Sequence, residues 1–168
     1  MPITIRFKQI ILIVLIAAMP IACSSGGGAD QYLQNIGDAV GAAADANNEW
    51  SSFVDEAAIM DYQKMSRNQI VELSEKQLVL ARQAKKEHSE ALNMLIKEIP
   101  PEQCKTVHMA MVESLQLSER GFLEMINYFS SALDRGYDDV DTMTRANDLL
   151  NQADLIKQRS SGALSECT

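Results

Sequence analysis

Apolar positions recur along the chain at spacings of three, four and seven, the signature of helices with one buried face. One run carries Val107, Met111, Leu115, Phe122, Met125, Phe129 and Leu133. A second carries Val140, Met143, Ala146, Leu150, Ala153, Ile156 and Leu164. Upstream, Leu73, Leu80, Ala84, Ala91, Leu95 and Ile99 form a third stripe. A fourth, from Asp30 to about Met60, contains Leu33, Ile36, Val40, Trp50, Phe53, Val54 and Ala57.

The polar punctuation divides these runs. Pro100 and Pro101 end one helix, and Pro101 followed by Glu102 suits the first turn of the next. "DRGYDD" breaks the pattern again, with Gly136 as a helix C-cap. Ser66 with Gln69 has the spacing of a capping box, which starts a helix there. The boundary between the first two helices is the weakest, because no Gly or Pro lies between Trp50 and Pro100. Short connections make consecutive helices antiparallel, so the pattern predicts an all-α, up-down bundle of four helices. The alternative is three long helices, the first bent near Asn47-Asn48 and running on to Ile99.

The chain begins differently. Arg6 and Lys8 precede an apolar run from Ile10 to Ala18, and no acid occurs before Asp30. That is the order of a secretory signal. The thirteen residues from Ile10 to Ala22, interrupted by Pro20, fall short of the ~20 that span a bilayer. Pro20-Ile21-Ala22-Cys23 then leads into two serines and three glycines. These residues resemble the lipobox of bacterial lipoprotein precursors, with the small residue at −1 and Pro20 where the pattern usually has Leu. The resemblance covers residues 1–23 and implies a signal peptide over 1–22, a diacylglyceryl group on Cys23 and acylation of the new amino terminus. It also implies a palmitate-type membrane anchor in the cell envelope. Ser24 after the cysteine implies the outer membrane, facing the periplasm, in a diderm host. Residues 23–29 are then the lipidated cysteine and a flexible tether, and 30–168 one helical domain.

Removing residues 1–22 takes away Arg6 and Lys8 and no acid, so the formal charge moves from −8 to −10. Such a surface repels phosphate backbones, which argues against nucleic-acid binding. In an oxidising envelope the two remaining cysteines, Cys104 and Cys167, form a plausible pair. Thirty-two residues separate Cys104 from Gly136, and thirty-one separate Gly136 from Cys167. An antiparallel hairpin of helices three and four therefore brings both cysteines to one end. A bridge there contributes roughly 4 kcal/mol in the chain-entropy model.

Catalytic motifs are missing: there is no Gly-rich phosphate loop, Cys-x-x-Cys-His, His-Glu-x-x-His or EF-hand loop. The expectation is a non-enzyme with no cofactor. One constellation has ligand chemistry: folding at Pro100 sets His88 opposite position 112, about a turn from His108, which shares a face with Met111. Two imidazoles and a thioether suit Cu(I) or a non-covalent haem; the plainer reading is core packing across the hairpin. Asp138, Asp139 and Asp141 read as a solvated helix start, whose acids complement the dipole. The "QAKKEH" run at 83–88 reads as a solvated face. By elimination, the leading expectation is an envelope lipoprotein that binds a protein partner through one bundle face. Trp50 and Phe53 on the first helix are anchor-type residues, though core burial is the more common fate of such side chains. The alternative is a carrier or sensor for copper, haem or a small apolar molecule held between helices.

Overall fold

The computed structural model describes residues 27–61, 64–135 and 139–167. They form four helices: α1 (Gly27–Ala58), α2 (Arg67–Leu95), α3 (Lys105–Arg135) and α4 (Val140–Cys167). A 3-10 turn, Glu102–Cys104, precedes α3. There is no strand among the described residues. At 1.5 Å per residue the 32 residues of α1 span about 48 Å. Cys23 and the signal-type segment lie outside the described residues, as do Gly136 and Asp138.

Four helices, rather than three, follow from the break between Ala58 and Arg67. The alternative placed a bend at Asn47-Asn48, but α1 runs through both asparagines without interruption. It closes with Met60 N–H donating to the Ala57 carbonyl at 3.1 Å. The capping box then starts α2. The Gln69 N–H reaches Ser66 Oγ at 3.4 Å, and the Ser66 N–H donates to Gln69 Oε1 at 2.8 Å. Two N–H groups at the helix start that would otherwise lack partners are satisfied reciprocally.

Two boundaries differ from the sequence pattern. Residues 27–29 are already helical, ahead of the expected start at Asp30, and Ala29 is buried in the same apolar cluster as Tyr32. α2 ends at Leu95, so Ile99 falls off the stripe assigned to it and is 90% exposed. Pro100 disfavours the helical conformation at Ile99, the residue before it, so the helix does not resume there. Pro101 consequently caps the 3-10 turn, accepting from the Cys104 N–H at 2.9 Å, and does not enter the first turn of α3.

α1 packs beside α2, α2 beside α3 and α3 beside α4, with alternating directions. Cys104 and Cys167 form a disulfide with their Cα atoms 4.6 Å apart, which joins the start of α3 to the end of α4 as the hairpin arithmetic requires. Gly121 lets α3 and α4 approach: a Cβ there would lie 2.8 Å from two Leu150 side-chain carbons. At the start of α4, Asp139 caps Thr142, accepting from its N–H at 3.2 Å and its hydroxyl at 2.6 Å. These hydrogen bonds hold the Asp139 carboxyl below its ordinary range, consistent with an acidic helix start.

The core consists of two apolar clusters. One, toward the α1–α2 and α3–α4 turns, is built around Trp50, Phe53, Leu78, Phe122 and Phe129. Trp50 meets the Phe122 ring edge-on, with centroids 5.8 Å apart, a favoured aromatic geometry. The other gathers Tyr32, Ile36, Leu95, Leu115 and the disulfide at the opposite end. Trp50 and Phe53 are only 7% and 6% exposed, so of their two expected fates the core is the one they take. Burying such rings contributes more than any exposed strip of α1 could.

Candidate functional site

The side of the bundle between α1 and α4 is not closed. A cleft of about 290 Å³ lies there, floored by α3 and reaching His88 of α2. That volume is at the lower edge of the ~300–1,000 Å³ usual for small-molecule sites. Local sequence accounts for the gap. Residues 37–46 of α1 read "GDAVGAAADA", and residues 160–163 of α4 read "SSGA". These side chains are too short to fill the space between two helix backbones. A Cβ added at Gly37, Gly41 or Gly162 would meet nothing within 4 Å.

The apolar wall comes from Val40, Ala43, Met111, Leu115 and Leu164. The polar side comes from His88, Ser118, Asp154 and Lys157. His88 Nδ1 lies 2.8 Å from the Ala84 carbonyl. A carbonyl only accepts, so Nδ1 carries the proton and the neutral ring keeps Nε2 as an acceptor. Burial pushes the His88 pKa below its ordinary value, assisted by the Lys157 charge and opposed by the Ala84 hydrogen bond. On α4, burial raises the Asp154 carboxyl and lowers the Lys157 ammonium, while each partly offsets the shift in the other. The cleft thus holds two oppositely charged, partly desolvated groups one helical turn apart, with an imidazole opposite. Other hydroxyls at its rim are committed: Ser114 donates to the Ala153 carbonyl at 3.0 Å and Ser160 to the Lys157 carbonyl at 2.8 Å. The arrangement can hold an amphipathic molecule with its apolar body against α1 and α3 and its polar end at α4.

The structure does not bring His88 and His108 together. Ser89 bonds Glu119, and His88 stacks at 5.2 Å on Phe122, so α2 meets α3 about ten residues further along than a fold at Pro100 sets it. The nine residues between α2 and α3 shift the pivot to the 3-10 turn. His108, fourteen residues or about 21 Å before Phe122 along α3, shares a hydrogen bond of 2.8 Å between Nδ1 and the Tyr32 hydroxyl. Met111 lines the cleft with His88, whereas His108 serves the α1–α3 contact. Among the described residues no three of His, Cys, Asp and Glu gather to hold a metal ion.

Sequence reasoning missed Asp154 and Lys157. Their signal is present: two opposite charges on the inward half of α4, near a run of small residues, beside Ala153 on the apolar stripe. No helix among the described residues is long and apolar enough to cross a membrane. No protein-family model matches the chain, and no curated protein and no solved structure matches it.

Proposed function

We propose that this chain is a lipid-anchored, non-catalytic protein of the bacterial envelope whose helical domain holds a small amphipathic molecule in the cleft between α1 and α4. The cleft carries this reading: an unfilled space at mid-bundle, apolar on one side, with partly desolvated Asp154 and Lys157 on the other. Leaving such groups in an empty cleft costs free energy that a polar ligand end recovers. A protein partner is the less supported reading, because Trp50 and Phe53, its expected anchors, belong to the core. Copper held by His88, His108 and Met111 is disfavoured by the separation of the two imidazoles.

The test is native mass spectrometry of the full chain, gently extracted from its host envelope, beside an Ala44→Leu variant that fills the cleft. The expected result is an added small-molecule mass on the wild-type chain that the variant lacks. A bare wild-type domain, or a mass retained by Ala44→Leu, would overturn the reading. The same spectrum reports acylation at Cys23.

A further inference from the structure

The end of the bundle that carries the disulfide presents a group of exposed apolar side chains next to the start of α1. Ile96 and Ile99, in the link from α2 to α3, are 55% and 90% exposed, and Met94 is exposed beside them. Ala29 and Tyr32, in the first turns of α1, pack with Leu95, Cys104 and Cys167 at this same end. Only Ser24, Ser25 and Gly26 separate Cys23 from Gly27. Four residue steps reach at most about 14 Å, and a glycine- and serine-rich tether of that length averages about 11 Å. A lipid on Cys23 therefore holds this end of the rod, and not the opposite end some 48 Å away, at the bilayer surface.

We infer that the Ile96–Ile99 tip seats directly in the membrane interface, so that the anchored domain stands end-on on the lipid surface. This rests on the reading of Cys23 as the anchor. The tip's backbone suits that environment. The N–H groups of Ile96, Lys97 and Glu98 already donate to the carbonyls of Leu92, Met94 and Leu95, at 3.0, 3.2 and 3.0 Å. Pro100 and Pro101 have no N–H to desolvate. Few backbone donors lose water when the tip leaves it, so the isoleucines enter at low polar cost. Charge does not drive the contact. Asp30, Glu98, Glu102 and Glu166 outnumber Lys97 and Lys105 at this end, so the tip suits a zwitterionic surface and lacks the basic cluster that seeks anionic lipid.

The test uses the acylated full-length product reconstituted into phosphatidylcholine vesicles whose acyl chains are brominated near the headgroup, a short-range quencher of indole emission. Ile99→Trp places an indole at the tip, and Ile59→Trp places one at the opposite end, where Ile59 is 87% exposed. Trp50, buried at mid-bundle, is the internal reference. The expected result is loss of most of the Ile99→Trp emission, with Ile59→Trp and the wild-type chain unchanged. Vesicle flotation of the wild-type chain checks the anchor separately, and its absence overturns the anchor reading and this inference together. Flotation with Ile99→Trp unquenched overturns the inference alone, as does equal quenching at both ends, which means a rod lying flat.

Discussion

The Tyr32 hydroxyl of α1 and His108 Nδ1 of α3 share a hydrogen bond of 2.8 Å between residues 76 apart in sequence. It ties the first turns of two parallel helices across the bundle. Burial, and after it the Glu98 charge, pushes the Tyr32 pKa up to about 12, so the phenol stays protonated. Burial holds His108 below its ordinary pKa, with Glu98 opposing, which favours the neutral imidazole.

Acid should therefore weaken the fold in a defined window. The pKa values of His88 and His108 are both lower folded than unfolded. The unfolded chain consequently binds more protons as pH drops below about 6.5. The stability held by the neutral rings is fully present above that pH and is lost as pH falls toward the folded values. The expected slope is at most about 1.4 kcal/mol per pH unit for each histidine. Denaturant titrations at pH 7.5 and 5.5 check this, and His88→Gln should flatten the difference.

Reducing the Cys104–Cys167 bridge should cost roughly 4 kcal/mol, the loop-closure value for a 63-residue separation. Urea midpoints with and without reductant measure it. The double variant Cys104→Ser, Cys167→Ser should match the reduced chain and no longer respond to reductant.

Ser66→Ala removes the side-chain half of the capping box and should destabilise by about 1 kcal/mol. Asp at the same position should keep most of that stability, because it also accepts from the Gln69 N–H. Thermal unfolding of the three chains distinguishes capping from a change of local propensity.

At the α3–α4 crossing, Gly121→Val should destabilise by about 2 kcal/mol or more. The added methyl groups meet Leu150 carbons already 2.8 Å from the site of a Cβ, and overpacking costs 1–3 kcal/mol. A paired Leu150→Ala should recover part of the loss from Gly121→Val, measured as a double-mutant cycle.

The helices and the disulfide were legible because both depend on period and length. The stripe from Val107 to Leu133 fixes which face of α3 is buried, and the nearly equal arms either side of Gly136 bring Cys104 and Cys167 to one end. Register between helices was not legible. Nine linking residues that follow no helical spacing decide where His88 meets α3, and moving the pivot from Pro100 to Lys105 carries it from Val112 to Phe122. The cleft was hidden for a related reason: alanines on an apolar face look like core, and only the spacing of α1 from α4 shows that Ala43 and Ala44 leave a gap. The fate of Trp50 and Phe53 stayed open in the sequence because aromatic side chains suit both an anchor and a core until the neighbouring helices are in position.

The bridge encloses only α3 and α4, leaving α1 and α2 outside the covalent loop. Tension applied at the N-terminal side of the chain therefore enters α1 first. α1 is held along α2 and by noncovalent contacts with α3, and at mid-bundle the cleft separates it from α4. It is the element placed to peel away while the stapled α3–α4 pair bears no load.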